Sequence, residues 1–381
     1  PEGALLAPLG RLLSHGYYLD VLGFTFGQAL LSTLLTLAAA LPAAYVFARF
    51  AFPAKRLILG LTTIPFVMPT VVVAAAFDAL LGPHGVVNEG LMALFGLARA
   101  PLRLEHSLAM ILLAHLFYNF TVGLRIIGGY WAQLPLTMEE SARMLGASPR
   151  QVFVRITLPL IMPAVWSAAL LIFIFCFSSF GVILILGGPR MATLEVEIYR
   201  QTLHLFNLPM AAVLALVQIL FTFAAMGVYT RLQRRAATAV TPSLTERSAL
   251  PPEGLGQRVL VGGVVTAVLS YLGAPLLALL LRSLTTTQGL ALTYYRQLFH
   301  NPEQSLFFVP PMAAMGNSLL FAFLTLALAL LLGVTAAVYL SGPKSRLSAL
   351  LDPLFMLPLS TSAVTLGFGF IISLDLSLIH I

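Results

Sequence analysis

Met138-Glu139-Glu140-Ser141-Ala142-Arg143-Met144-Leu145-Gly146, running on to Ile156-Thr157-Leu158-Pro159, is a polar insertion in an otherwise apolar chain. Of the 381 residues, 59% are hydrophobic and 9% charged, and the mean hydropathy is +0.95. A soluble domain carries roughly 25% charged residues, so lipid is the solvent for most of this chain. In lipid the backbone must satisfy its own hydrogen bonds, and apolar runs this long do so most cheaply as helices. The fold class expected is an all-α polytopic membrane protein. A polar helix-turn-helix in such a chain has to meet something in water.

Apolar spans read at about 22–48, 57–81, 107–130, 158–187, 209–231, 258–281, 316–340 and 349–373. Charges within them sit near ends, such as Asp78 and Arg125. The formal net charge of +7 reads as topology charge, not as a nucleic-acid surface. Loop 49–57 holds Arg49, Lys55 and Arg56, the quoted loop holds Arg143, Arg150 and Arg155, and loop 231–258 holds Arg231, Arg234, Arg235, Arg247 and Arg258. The opposite loops, 82–106 and 188–208, hold Arg99, Arg103, Arg190 and Arg200. Eleven basic residues against four place the quoted loop in the cytoplasm. The single cysteine, Cys176, lies in an apolar run and is expected buried and inert. Residue 1 is Pro, and the chain reads as a piece of a longer protein whose last residues, 374–381, carry no argument.

The chain repeats itself. Gly27-Gln28-Ala29-Leu30-Leu31-Ser32-Thr33-Leu34-Leu35-Thr36-Leu37 resembles Gly316-Asn317-Ser318-Leu319-Leu320-Phe321-Ala322-Phe323-Leu324-Thr325-Leu326. Ile64-Pro65-Phe66-Val67-Met68-Pro69 lines up with Leu357-Pro358-Leu359-Ser360-Thr361-Ser362. Loop charges Lys55/Arg56 and Lys344/Arg346 give both copies the same direction, a parallel repeat. The expected domains are 1–231 as a first transmembrane domain containing the loop 136–159, 232–257 as a polar, Pro-rich cytoplasmic linker, and 258–381 as the opening of a truncated second copy.

Within the loop, Met138, Ala142 and Leu145 share one helical face. Gly146 stands where a helix end needs a left-handed residue. Ser148 can N-cap a helix that opens on Pro149, a residue favoured at that position. The spacing predicts a helix over 136–145, a turn at Gly146-Ala147-Ser148, a helix over 149–157, and a membrane span that starts at Pro159. An amphipathic helix lying on lipid head groups is the plain alternative. The helix is not strongly basic, and its turn is unusually specific.

The spacing Glu-x-Ala-x3-Gly-x9-Ile-x-Leu-Pro, here Glu140, Ala142, Gly146, Ile156, Leu158 and Pro159, resembles the signature of permease subunits of type I binding-protein-dependent ABC importers, the MetI-like transmembrane domain. Ser141 stands where the family has the first of two alanines. The resemblance implies that this loop is a coupling helix docking on an ATPase dimer, with Glu140, Ser141, Ala142, Gly146, Ile156, Leu158 and Pro159 in the contact. It implies ATP and Mg on that partner and no cofactor on this chain. It also implies a periplasmic or lipid-anchored solute-binding protein, surrounding membrane lipid, no nucleic-acid partner, and a bacterial inner-membrane location. The two-half organisation is similar to fused permeases for thiamine and iron(III), and more distantly to polyamine permeases.

Cys176-Phe177-Ser178-Ser179-Phe180-Gly181-Val182, then Leu186-Gly187-Gly188-Pro189, is similar to the segment after the coupling loop in those permeases. The Gly-Gly-Pro turn is expected to end the span on the outer side, with the next loop dipping toward the pathway or the binding protein. Candidate pathway residues are Asp78, His115, Ser178, Ser179, Gly187 and Gly188.

No Gly-x4-Gly-Lys-Ser/Thr is present: the chain has only Lys55 and Lys344, and Pro precedes the second. No H-E-x-x-H, G-x-S-x-G or cysteine pair occurs, so the chain is not expected to be an enzyme. An intramembrane enzyme would need a catalytic pair at one depth, which is not found. An ion-driven secondary transporter would need carboxylates beside broken helices at the midplane. Pro65, Pro69 and Pro358 break helices, but no carboxylate is expected to accompany them at depth.

Overall fold

The structure is a computed structural model that describes residues 8, 10–12, 14–239, 249–286, 289–298, 310–342 and 364–370. Linker residues 240–248, the second basic loop with Lys344 and Arg346, the segment 357–362 and residues 374–381 lie outside the described residues, as does most of the expected eighth span. The described residues hold seven helices long and apolar enough to cross a membrane. The protein is an all-α, multi-pass membrane protein.

The chain forms two compact units, Pro1–Leu276 with Ser360–Ile381, and Leu277–Leu359. In the first, α1 spans Gly16–Arg49, longer at its start than the 22–48 expected. The expected span 57–81 is broken into α2 (Lys55–Leu61), α3 (Ile64–Val67) and α4 (Thr70–Leu81). Pro65 and Pro69 lack the N–H that a continuing ladder needs. Two side chains from α6 (Leu108–Gln133) meet the exposed backbone. Arg125 donates to the Leu59 carbonyl at 3.0 Å and to Thr63 Oγ1 at 2.7 Å, and Tyr118 donates to the Met68 carbonyl at 3.2 Å. This is how a broken helix is tolerated at membrane depth. Between α4 and α6, the region read as a loop contains α5 (Val86–Phe95).

After α6 come α7 (Leu136–Met144) and α8 (Pro149–Val152), then a widened π turn at Phe153–Thr157 that runs without a break into α9 (Leu158–Phe177). Pro159 therefore does not open a separate span. The Leu158 N–H donates to the Phe153 carbonyl, five residues back, and the wide turn absorbs the proline that follows. The span expected over 158–187 unwinds at Ser178-Ser179-Phe180 and closes on a second π turn, Ile183–Gly187. Next are α10 (Leu194–Leu203), α11 (Leu208–Ala239) and α12 (Leu255–Leu284).

The most extensive packing is α1 on α6, with α9 laid against both and against α11. Small residues allow it. A Cβ on Gly123 would stand 2.8 Å from Ala40 Cβ, and one on Gly128 would meet Ala44 at 3.5 Å. Polar residues bind the bundle across helices: Gln28 donates to the Cys176 carbonyl at 2.9 Å, and Ser32 shares a 2.9 Å hydrogen bond with His115 Nδ1. Cys176 is buried, as expected.

The second unit holds the end of α12, a two-residue antiparallel pair (Thr285–Thr286 with Gly289–Leu290), α13 (Thr293–Gln297) and α14 (Pro311–Ser341). Both repeat stretches, at Gly27 and Gly316, lie inside long apolar helices.

Candidate functional site at the loop end of the bundle

The described parts of the three basic loops of the first unit meet at one end. Arg49 of α1 pairs with Glu139 of α7, and the Ala51 N–H donates to the Leu250 carbonyl at 2.9 Å. The charge pattern of the sequence requires this grouping.

The helix-turn-helix is built by its own residues. Gly146 has φ +87°, in the left-handed region. Its N–H donates to the Arg143 carbonyl at 3.0 Å, while the Ala147 N–H reaches back to the Ala142 carbonyl at 3.0 Å. These two bonds satisfy the last carbonyls of α7 in the pattern a helix-ending glycine allows. Ser148 then caps α8: its hydroxyl accepts from the Gln151 N–H, and its own N–H donates to Gln151 Oε1 at 2.8 Å. The turn is fixed from both sides.

Glu140, Ser141 and Gly146 are exposed, Ala142 and Ile156 half-buried. Leu158 is half-buried and Pro159 exposed, both on the continuing helix. Glu140, expected in the contact with the ATPase, points outward, while its neighbour Glu139 turns into the chain. Glu139 Oε1 accepts from Arg49 and, at 2.9 Å, from the Thr157 hydroxyl. It ties α7 to the end of α1 and to the π turn. Sequence reasoning also passed over Met144. Met144 and Leu145 stand 90% and 89% exposed at the tip.

The pathway candidates fall into separate places. His115 is buried between α6 and α1 on Ser32. The Ser178 hydroxyl donates to the Ile174 carbonyl at 2.8 Å, and Ser179 is half-buried in the unwound segment. Asp78, Gly187 and Gly188 do come together at the far end. Asp78 lines a cavity of about 330 Å³ with Glu105, His106 and Leu186, and a Cβ on Gly188 would meet the His106 ring at 2.8 Å.

The region 188–208 is not an open loop. Its helix α10 is buried against α11 and α1, with Glu195 and Glu197 fully enclosed. Glu197 accepts from the Tyr17 hydroxyl at 2.6 Å and from Gln201 at 2.7 Å, and Glu195 accepts from Gln218. The Leu194 N–H donates to Thr25 Oγ1 at 3.0 Å. A Glu-x-Glu pair after a Gly-Gly-Pro turn looks like solvent-facing sequence, which hid this polar interior.

Residues 28–238, more than half of the chain, match the family of binding-protein-dependent transport system inner membrane components. The chain belongs to that family. Among curated relatives, it is 28% identical over 324 residues to a thiamine transport system permease protein of Haemophilus influenzae, covering 83% of this chain and 56% of that protein. It is 29% identical over 318 residues to the one of Brucella abortus, covering 82% and 56%. A putative 2-aminoethylphosphonate transport system permease protein of Salmonella typhi is 25% identical over 178 residues, 47% of this chain and 62% of that one. The chain thus spans about half the length of the thiamine permeases it matches. In fold it is similar to a chain of a bacterial alginate ABC transporter solved with an alginate-bound periplasmic protein, at TM-score 0.50 and 19% identity, over 62% of this chain and 84% of that one.

Proposed function

We propose that this chain is a permease subunit of an ABC importer, forming one side of a substrate pathway in a bacterial inner membrane. It works with a separate ATPase dimer and is fed by a periplasmic or lipid-anchored binding protein. The observation that carries the reading is the α7–α8 turn: rigid, water-facing and apolar at Met144 and Leu145, yet tied to the membrane helices through Glu139. A rigid lever of this kind can pass movement of a docked partner into α1 and α9.

Contact with the ATPase is assigned to Glu140, Ser141, Ala142, Gly146, Ile156, Leu158 and Pro159, with Met144 and Leu145 added at the tip. Asp78, His115, Ser178, Ser179, Gly187 and Gly188 remain the pathway proposals. The domain division stays as read: 1–231, linker 232–257 and a second copy from 258. Thiamine is the favoured substrate, supported by the thiamine permeases among the relatives. Iron(III), read from the same resemblance, is the second choice, and polyamines a more distant one. An ion-driven secondary transporter needs no ATPase, so the family assignment favours the importer.

The test is reconstitution with the ATPase and binding protein encoded beside this gene. Substrate-loaded binding protein should stimulate ATP hydrolysis, and uptake should stop in the absence of ATP. Uptake that persists without ATP and follows an ion gradient overturns the reading.

A further inference from the structure

A cavity of about 370 Å³ opens behind the coupling turn, walled by Leu41 and Tyr45 of α1, Trp131 of α6, Phe153 of the π turn, and Glu139 and Arg143 of α7. It holds many times the space of one water. Its charges do not balance. Two guanidiniums, Arg49 and Arg143, stand near a single carboxylate, and Glu139 is already committed to Arg49 and Thr157. Arg143 is exposed, and among the described residues its guanidinium makes no hydrogen bond or ion pair, so its charge is open to a ligand at the cavity mouth. A buried donor of the wall, Trp131 Nε1, lacks a partner, and so does the buried Nε of Arg49, which reaches the wall through Glu139. Unmet buried donors are uncommon enough to call for a ligand. The two unmet groups and the exposed Arg143 are all donors, so the ligand they suit is an anion rich in acceptors.

The cavity's position narrows the choice. Arg49 ends a membrane-spanning helix, and Trp131 and Tyr45 are the ring types that sit at the head-group level of a bilayer. Apart from Thr157, the remaining walls are apolar. A basic pocket between spans, with aromatic and aliphatic sides, suits a phosphate that carries glycerol and acyl chains. We infer that this cavity binds the phosphate of an anionic membrane phospholipid, with Arg143 as the principal contact. The lipid then sits between α1, the π turn and α7, where it stiffens the lever. That consequence rests on the coupling role proposed above; the binding itself does not.

The chain has two tryptophans, Trp131 and the exposed Trp166, so Trp166→Phe leaves Trp131 as the single emitter inside the site. The full chain carrying this substitution is placed in nanodiscs of phosphatidylcholine with a minor fraction of either phosphatidylglycerol or phosphatidylcholine brominated on its acyl chains. Quenching of Trp131 should favour the anionic lipid about fivefold. Arg143→Gln should bring that ratio to one, and Arg143→Lys should keep part of it. Inorganic phosphate should leave the quenching unchanged. Equal quenching by both lipids, or a preference that survives Arg143→Gln, overturns the proposal. Displacement of the lipid by millimolar phosphate overturns the lipid assignment in favour of the free anion. None of these readouts depends on ATPase coupling, so failure here and failure of the importer reading are separable.

Discussion

Arg49, the last residue of α1, is ion-paired with Glu139 of α7 across 90 positions of sequence, and the pair is largely enclosed. This contact joins the α7–α8 turn to the 34-residue helix α1. Removing one partner strands the other charge, at about 3 kcal/mol for a buried pair. Glu139→Ala should therefore lower thermal stability and loosen the turn. The exchanged pair Arg49→Glu with Glu139→Arg should recover part of both losses. A double-mutant cycle by thermal unfolding in detergent measures the coupling, and a coupling near zero would remove Glu139 from its tethering role.

Gly146 needs its glycine for backbone geometry, not for space. Its φ is +87°, while nothing lies within 4 Å of an added Cβ. A β-branched residue there costs about 1–2 kcal/mol in local strain. Gly146→Val should leave the membrane fold intact and uncouple ATP hydrolysis from transport. Gly146→Asn should be milder, because asparagine visits the left-handed region more readily. Transport by Gly146→Val at the parent rate would sink the coupling assignment.

Gly123 answers to the opposite demand. Its Cβ would stand 2.8 Å from Ala40 Cβ, so even Gly123→Ala should destabilise the α1–α6 contact by about 1–3 kcal/mol. The compensating double substitution Gly123→Ala with Ala40→Gly should regain most of it. Unfolding midpoints of the two single variants and the double provide the check.

Tyr17 holds α10 in place through Glu197, at 2.6 Å. Tyr17→Phe removes the nearer of two donors from the enclosed Glu197 Oε2 and leaves it the Arg200 guanidinium at 3.5 Å, a loss of about 1–2 kcal/mol. Helix α10 should open more often. A cysteine placed at the buried Thr202, in a Cys176→Ala background, should then be alkylated several-fold faster than in the chain that keeps Tyr17. Unchanged labelling would show that other contacts hold the helix.

The sequence by itself determined the solvent, the helical class, the grouping of the basic loops and the helix-turn-helix. Each follows from local or one-dimensional rules. Apolar run length sets the spans, arginine count sets which loops share an end, and Gly146 with Ser148 and Pro149 sets the turn through bonds no more than five residues apart. What only the tertiary structure decided depends on partners distant in sequence. The break at Pro65 and Pro69 survives because Arg125 and Tyr118 arrive from α6. Glu139 rather than its neighbour faces inward because Arg49 and Thr157 meet it there. Glu195 and Glu197 look like a water-facing loop until Tyr17, Gln201 and Gln218 surround them. A polar side chain in a membrane goes where its hydrogen bonds are met, and those partners are chosen by packing, which no local pattern encodes.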